Sequence, residues 1–218
     1  MKSLKTLRAT SFLFVIAAVA FGSAFAPAAH ADVVYQFTYD GCSGGCGPQN
    51  SFGTVTLSQV DSNTVDISVT LLNTNAFVTT GSHAGFAFNF LGGDVTVGTL
   101  PTGWSDAGAN VGEPSFGNFA HGIDCDKGNS NSKSGCAGSN PWDGILDFKV
   151  SRTGGLSVSD FRNNSGGYAF AVDILSGTTS KTGVVAAGLS DVPEPGTLAM
   201  MGTGVLGLAG VLRRATLR

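Results

Sequence analysis

The residues that could carry out acid–base chemistry in this chain are few. Residues 32–192 contain two histidines, His83 and His121, and a single glutamate, Glu113. No motif of a nucleophilic serine, a zinc protease or a nucleotide-binding loop is present. A Ser-His-Asp triad assembles only in space, so a hydrolase stays an alternative. We expect both histidines to be loop residues and the protein not to be an enzyme. A glycosidase would need two carboxylates, and the candidates are Glu113 with Asp106, Asp124 or Asp143.

Hard oxygen ligands occur at short intervals in the segment DCDKGNSN. Such ligands suit Ca²⁺, and a glycine lets the chain bend around an ion. However, the spacing departs from that of an EF-hand, and Lys127 would repel a cation. We therefore expect a solvated polar loop and no cofactor, with a calcium site as the alternative. Its ligands would be Asp124, Asp126, Asn129 and Asn131.

The two tryptophans, Trp104 and Trp142, lie in a segment rich in Gly, Asn, Ser and Asp. Their rings could form a platform for stacking on sugars, with nearby polar side chains as hydrogen-bonding partners. The commoner fate of a tryptophan is burial in the core. We expect both rings to cap the core, and the sugar platform is the alternative.

The four cysteines of the exported part indicate disulfides, because their number is even. Local pairing of Cys42 with Cys46 and of Cys125 with Cys136 is the first of three connectivities, since two glycines allow a tight turn in the first pair. A zinc site is the rival interpretation. The spacings of these cysteines are not those of zinc knuckles, which favours disulfides.

Nearly all secondary-structure signals of residues 32–190 are those of strands. The segment TVDISVTLL places Val65, Ile67 and Val69 on one face and polar residues on the other, which is the period of a half-buried strand. GFAFNFL, YAFAVDIL and ILDFKVSR repeat this pattern, and LSVSDF is a shorter candidate. Residues 101–143 do not look like strands. We predict one all-β domain over residues 32–190, a jelly-roll-like β-sandwich.

The beginning of the sequence has the composition of a signal peptide. Residues 1–8 are basic, residues 12–21 form an apolar run, and small residues lead to Ala31. This order matches the substrates of signal peptidase. We predict a signal helix over residues 1–31 that signal peptidase removes, so that Asp32 becomes the N-terminus. An uncleaved anchor is the alternative, but the run is shorter than the ~20 residues of a span.

The domain between the two ends is acidic. Residues 32–192 contain 14 of the 15 acidic residues but six of the 12 lysines and arginines, which leaves a net charge near −8. Without a basic cluster, nucleic acid and anionic lipids are not expected partners. A divalent cation or a neutral polysaccharide remains compatible with this charge.

The end of the sequence joins a rigid acidic turn to an apolar run. Pro193 and Pro195 flank Glu194, and their fixed φ angles oppose a regular helix there. Residues 197–212 are uncharged, and two arginines follow. As a helix this run would span about 24 Å, less than the ~30 Å hydrocarbon core. We therefore expect transient insertion, with the arginines on the cytoplasmic side.

Over residues 192–218 this arrangement resembles the PEP-CTERM sorting signal of Gram-negative bacteria. The similarity rests on a Val-Pro-Glu-Pro entry, a Gly-rich apolar helix and a basic end, in that order. The resemblance implies recognition by an exosortase, a membrane-bound protease-transpeptidase that cleaves near the triplet. The residues that match the motif are Pro193, Glu194, Pro195, Arg213 and Arg214.

The resemblance also implies a cellular setting. Family members tend to accompany exopolysaccharide and biofilm genes, and their β-rich domains mostly have no assigned activity. We therefore expect a structural or matrix-associated protein that passes the inner membrane and reaches the cell surface or the extracellular matrix. A secreted carbohydrate-binding module that carries the same tail is the alternative.

Overall fold

A computed structural model of the chain describes residues 32–125, 136 and 140–188. This part of the chain contains twelve strands in two antiparallel sheets and one short 3₁₀ helix, Val158–Asp160, which confirms the all-β class. In chain order the strands are β1 (Val33–Gln36), β2 (Tyr39–Asp40), β3 (Gly53–Asp61), β4 (Thr64–Leu71), β5 (Ala76–Phe77), β6 (Phe86–Phe88), β7 (Thr96–Val97), β8 (Trp104–Glu113), β9 (Gly117–Cys125), β10 (Leu146–Ser151), β11 (Phe170–Leu175) and β12 (Thr182–Ala187).

The first sheet has five strands in the order β1-β3-β4-β10-β7. β10 pairs along its whole length with β4, so that Leu146 lies opposite Val69. Val65, Ile67 and Val69 of β4 are fully buried while the residues between them are partly exposed. This alternation is the one that the sequence predicts for a strand with one buried face.

The second sheet has the order β2-β12-β11-β6-β9-β8, and β5 adds to β11. Its strand β11 is buried on both faces, because Ala171 and Asp173 are as inaccessible as Phe170, Val172 and Ile174. A strand covered on both sides needs apolar residues at nearly every position. Asp173 is the exception, and its burial requires polar partners.

Aromatic side chains of the two sheets meet in one core. The ring centroid of Phe148 in β10 lies 6.1 Å from those of Phe86 and Phe88 in β6. Tyr35 of β1 lies 4.8 Å from Phe170 of β11. These contacts join the faces of the two sheets, as in a β-sandwich. The jelly-roll topology stays a prediction.

The prediction that residues 101–143 contain no strands is wrong. This segment forms the ten-residue strand β8 and the nine-residue strand β9, which pair as a hairpin. The register shifts between Asp106 and Gly108, where one extra residue interrupts the pairing. Such a bulge breaks the two-residue period, so the strand is not recognisable from hydrophobic alternation.

The segment LSVSDF was also predicted to be a strand, which is wrong. It contains the 3₁₀ helix, because the Ser157 hydroxyl accepts from the Ser159 N–H and the Asp160 carboxylate accepts from the Ser157 N–H. This reciprocal capping stabilises a helical turn against an extended chain.

The predicted signal helix and C-terminal helix fall in residues 1–31 and 192–218, which lie outside the described residues. Within residues 32–125, 136 and 140–188, no helix has the length and apolar character needed to cross a bilayer.

Candidate functional site

A histidine and two carboxylates meet in a buried cluster beside the second sheet. His83 lies in loop 78–85 between β5 and β6, Glu113 ends β8, and Asp173 lies in β11. His83 Nδ1 is 3.3 Å from Glu113 Oε2, and His83 Nε2 is 3.7 Å from Asp173 Oδ2. Both carboxylate side chains are 0% exposed and the imidazole is 11% exposed. The imidazole therefore bridges two carboxylates that are closed to solvent.

Two local features bring the three elements of this cluster together. A Cβ atom at Gly122 of β9 would lie 2.7 Å from Val111 Cγ1 and 2.9 Å from Ala84 Cβ. The missing side chain thus allows both β8 and loop 78–85 to approach β9. Thr80 donates its backbone N–H and its hydroxyl to Asp173 Oδ2, at 2.6 and 2.8 Å.

The electrostatics of the cluster favour a protonated His83. Its contact with Glu113 is the largest cause that raises the His83 pKa from 6.5 to about 9, while burial acts in the opposite direction. Burial is the largest cause that raises the pKa of Glu113 and of Asp173, because it removes the carboxylates from water. All three shifts have one sign, so the cluster takes up protons on folding.

Three carboxylate oxygens of the cluster make no hydrogen bond of good geometry within the described part of the chain. They are the buried Oε1 and Oε2 of Glu113 and Oδ1 of Asp173. The contact between Glu113 Oε2 and His83 Nδ1 is 3.3 Å long, which is longer than a short charge-assisted hydrogen bond, and the same nitrogen lies 3.2 Å from the Ala84 carbonyl oxygen. The fold tolerates these carboxylates because a cation lies between them.

Burial limits the chemistry that the cluster can perform. A general acid or base must come within hydrogen-bonding distance of its substrate. The side chains of Glu113 and Asp173 expose no surface. Of the predicted glycosidase pair, Glu113 is engaged with His83 and Asp106 is engaged with His121. The cluster instead joins loop 78–85 to strands β8 and β11.

The second histidine, His121, lies in β9, so the prediction of a loop position holds for His83 and is wrong for His121. His121 Nε2 is 2.7 Å from Asp106 Oδ1, and its ring centroid is 5.4 Å from that of Phe88. Asp106 also accepts the Gly108 N–H at the bulge. This pair connects β8 to β9, with a carboxylate that is 46% exposed.

Both tryptophans pack against the core. The ring centroids of Trp104 and Trp142 are 5.2 Å apart, and each lies 5.3 Å from that of Phe77. Trp104 is only 7% exposed, and Trp142 packs partly buried on the same cluster. Trp104 therefore offers no open face to a pyranose ring, and the sugar platform is not supported.

An open groove of about 370 Å³ lies on the first sheet. Lys149 Nζ is 3.4 Å from Asp66 Oδ1 at this groove, and the Phe148 ring beneath is buried. The groove thus presents polar and charged groups without an aromatic face. Its lining residues are Asp66, Gly98, Thr99, Asp147, Phe148 and Lys149.

The cysteines form the two predicted local disulfides, Cys42–Cys46 and Cys125–Cys136. A sulfur in a disulfide is not a thiolate ligand, so this pairing favours disulfides over the zinc interpretation. The Asp40 carboxylate lies close to the first pair and accepts the N–H groups of Cys42 and Cys46, at 2.9 and 2.8 Å. The Asp40 carboxylate thus caps the turn between Cys42 and Cys46, which the two glycines predicted.

Replacing Cys125 and Cys136 with serine is expected to lower the free energy of unfolding by about 3 kcal/mol, because the disulfide restricts the unfolded chain. The matched control replaces Cys42 and Cys46 and removes a shorter loop, with a sequence separation of 4 against 11. Its expected loss is about 2 kcal/mol. Urea unfolding measures both values, and a larger loss in the control would contradict the prediction.

The calcium alternative falls largely on residues that the structure does not describe. Asp124 lies in β9 opposite Ser105. Asp126, Asn129 and Asn131 lie outside the described residues. A calcium site there stays a prediction.

The buried cluster was missed by sequence reasoning. Glu113 was considered only as half of a glycosidase pair, and Asp173 was not considered. One signal was available, because Asp173 interrupts the apolar run YAFAVDIL. A carboxylate within a fully buried strand needs a counter-charge.

The end of the chain, in contrast, matches a known sequence family. Residues 191–214 match the family model of the PEP-CTERM protein-sorting motif. No curated protein and no solved structure has a significant match to the chain. The matched range includes all five residues that the sequence singled out, from Pro193 to Arg214. The chain therefore carries a PEP-CTERM sorting motif, which implies an exported protein that is directed to the cell envelope and processed by an exosortase.

Proposed function

We propose that residues 32–190 form a non-enzymatic structural component of an extracellular polysaccharide matrix, which exosortase processing delivers. The observation that carries this proposal is the sorting motif at residues 191–214, placed after an all-β domain with two disulfides. Disulfides persist in oxidising compartments outside the cytoplasm. They also protect a domain that must stay folded outside the cell.

A non-enzymatic role is supported by the burial of the acid–base groups. Glu113 and Asp173 have no exposed side-chain surface, and His83 is engaged with both of them. A binding role for the tryptophans has no comparable support, since Trp104 is buried against Phe77 and Trp142. We therefore favour a structural role over a carbohydrate-binding module.

The proposed route to the surface has three steps. Signal peptidase removes residues 1–31, and residues 197–212 hold the chain transiently in the inner membrane of a Gram-negative cell. An exosortase then cleaves near Pro193-Glu194-Pro195 and releases the domain or attaches it outside. The short, glycine-rich run suits a temporary anchor better than a permanent one.

Intact mass spectrometry of the protein from its native envelope tests this route. We expect a mass that begins at Asp32, lacks Arg213 and Arg214, and is reduced by the hydrogens lost in two disulfides. A triple alanine replacement of Pro193, Glu194 and Pro195 should keep both arginines and remain in the membrane fraction. Ser190→Ala, just outside the matched range, is the control and should be processed normally.

Recovery of the wild-type protein with both arginines, still in the membrane, would contradict the proposed processing. The matrix role has its own test, in which the processed protein is fractionated with the extracted polysaccharide. We expect the protein to sediment with the polymer and to lose this association when the polymer is digested. Saturable binding of short oligosaccharides would favour the carbohydrate-binding module instead.

A further inference from the structure

We infer that His83 is a pH-sensitive latch, which holds loop 78–85 in place and thereby controls access to the Cys125–Cys136 disulfide. The inference goes beyond the proposed matrix role and does not depend on it. The inference rests on two sets of contacts made by loop 78–85. One set is with the Cys125–Cys136 disulfide, and the other is with the buried carboxylates of Glu113 and Asp173.

On the first side, loop 78–85 lies directly against the Cys125–Cys136 disulfide. Thr79 donates its backbone N–H to the Cys136 carbonyl at 2.8 Å and its hydroxyl to the Cys125 carbonyl at 3.0 Å. A Cβ atom at Gly85 would lie 3.3 Å from Cys125 Cβ. Cys125 is 2% exposed and Cys136 is 0% exposed. Both cysteines are therefore shielded from a reductant, and loop 78–85 contacts both of them.

On the second side, the same loop is held by charge. Among the described residues, Glu113 from β8 and Asp173 from β11 are the titratable groups that act on His83. Gly122 of β9, which lies against the adjacent Ala84, is uncharged. Loss of the imidazolium proton leaves the two buried carboxylates without a cation between them. These carboxylates repel each other, so the contacts that position the loop weaken.

The direction of the pH effect follows from the pKa of the His83 imidazolium, which is higher in the folded than in the unfolded protein. The pKa of His83 is raised from 6.5 to about 9. The latch is therefore fully closed below about pH 6.5 and is lost as the pH rises through about 9. Opening exposes loop 78–85 and, through Thr79, the Cys125–Cys136 disulfide.

The second disulfide provides an internal reference. The Cys46 carbonyl accepts the Ser176 hydroxyl at 2.6 Å, and Asp40 accepts the N–H groups of Cys42 and Cys46. These contacts involve no residue of loop 78–85. The ratio of the two reduction rates therefore cancels the effect of pH on the reductant.

The experiment uses the mature protein, which is obtained from a host that expresses and processes the full chain and is kept oxidised. A phosphine reductant is added at pH 6, 7, 8 and 9, thiols are trapped with a maleimide, and peptide mapping gives the reduction rate of each disulfide. We expect the rate for Cys125–Cys136, relative to that for Cys42–Cys46, to rise at least about tenfold from pH 6 to 9. Each unit of pKa difference can change the opening equilibrium up to tenfold.

Two variants separate His83 from other titrating groups. His83→Gln should show a high ratio already at pH 6 and a smaller rise with pH than the wild type. His121→Gln, the control, changes the other buried histidine and should keep the wild-type dependence. A flat wild-type ratio overturns the inference, as does an equal rise in His83→Gln. If His83→Gln does not fold, the wild-type series decides, together with hydrogen exchange of loop 78–85 at the same pH values.

Discussion

Replacing His83 with glutamine is expected to lower the free energy of unfolding by about 3 kcal/mol at pH 6, at the low end of the cost of breaking a buried ion pair. The variant leaves Glu113 and Asp173 buried without a cation. The loss stays at the low end because burial raises the pKa of both carboxyl groups, so that they can bind a proton instead.

The same variant should differ from the wild type in its pH dependence. The folded-state pKa of His83 lies above the unfolded value, at about 9 against 6.5. His83 therefore contributes stability that is complete below pH 6.5 and is lost as the pH rises to about 9. The stability difference between wild type and His83→Gln should narrow over this window.

Urea unfolding at half-unit steps from pH 6 to 9.5 measures this difference. His121→Gln is the control, because its partner Asp106 is 46% exposed and their contact lies partly in water. The control should keep the decline of stability above pH 6.5. A difference between wild type and His83→Gln that stays constant with pH would rule out the assigned role.

Replacing Phe170 with alanine is expected to lower the free energy of unfolding by about 3–5 kcal/mol, the usual cost of truncating a buried phenylalanine. The ring is fully buried in the central strand β11. Its centroid lies 4.8 Å from that of Tyr35, 6.0 Å from Phe161 and 6.2 Å from Phe86. The substitution would therefore leave a cavity between the two sheets, and the paired strands could not move in to fill it.

Urea unfolding should show a lower midpoint for Phe170→Ala with an unchanged slope. The control is Tyr39→Ala, because Tyr39 lies in the same sheet but is 48% exposed. Its expected loss is below about 1 kcal/mol. Equal losses in the two variants would mean that Phe170 does not lie in the shared core.

The strands with one or two apolar faces could be predicted from the sequence, because the order of apolar and polar residues within each strand indicates them. β4, β10 and β11 contain the alternating apolar residues that the sequence displayed, and these residues are buried. The local disulfides were predictable for a similar reason, since residues 42–46 form a turn that glycines permit. Short-range geometry decides both features.

The hairpin of β8 and β9 could not be predicted, because its stability comes from partners distant in sequence. β8 lies at the edge of its sheet and contains a bulge, and Asn110 has a φ of 58°. The pairing of β9 with β6 supplies the hydrogen bonds that local composition does not suggest. Tertiary pairing here overrides a weak intrinsic preference.

By itself, the sequence determined the class of the fold, the disulfides and the sorting motif at residues 191–214. These features depend on neighbours within a few residues, and the motif is read as a linear segment. Only the tertiary structure decided between the core and the sugar-platform interpretations of Trp104, and only it showed that His83 lies between Glu113 and Asp173. Glu113 follows His83 by 30 residues, and Asp173 follows Glu113 by 60 residues. Only sheet pairing and the close approach at Gly122 bring the three residues together.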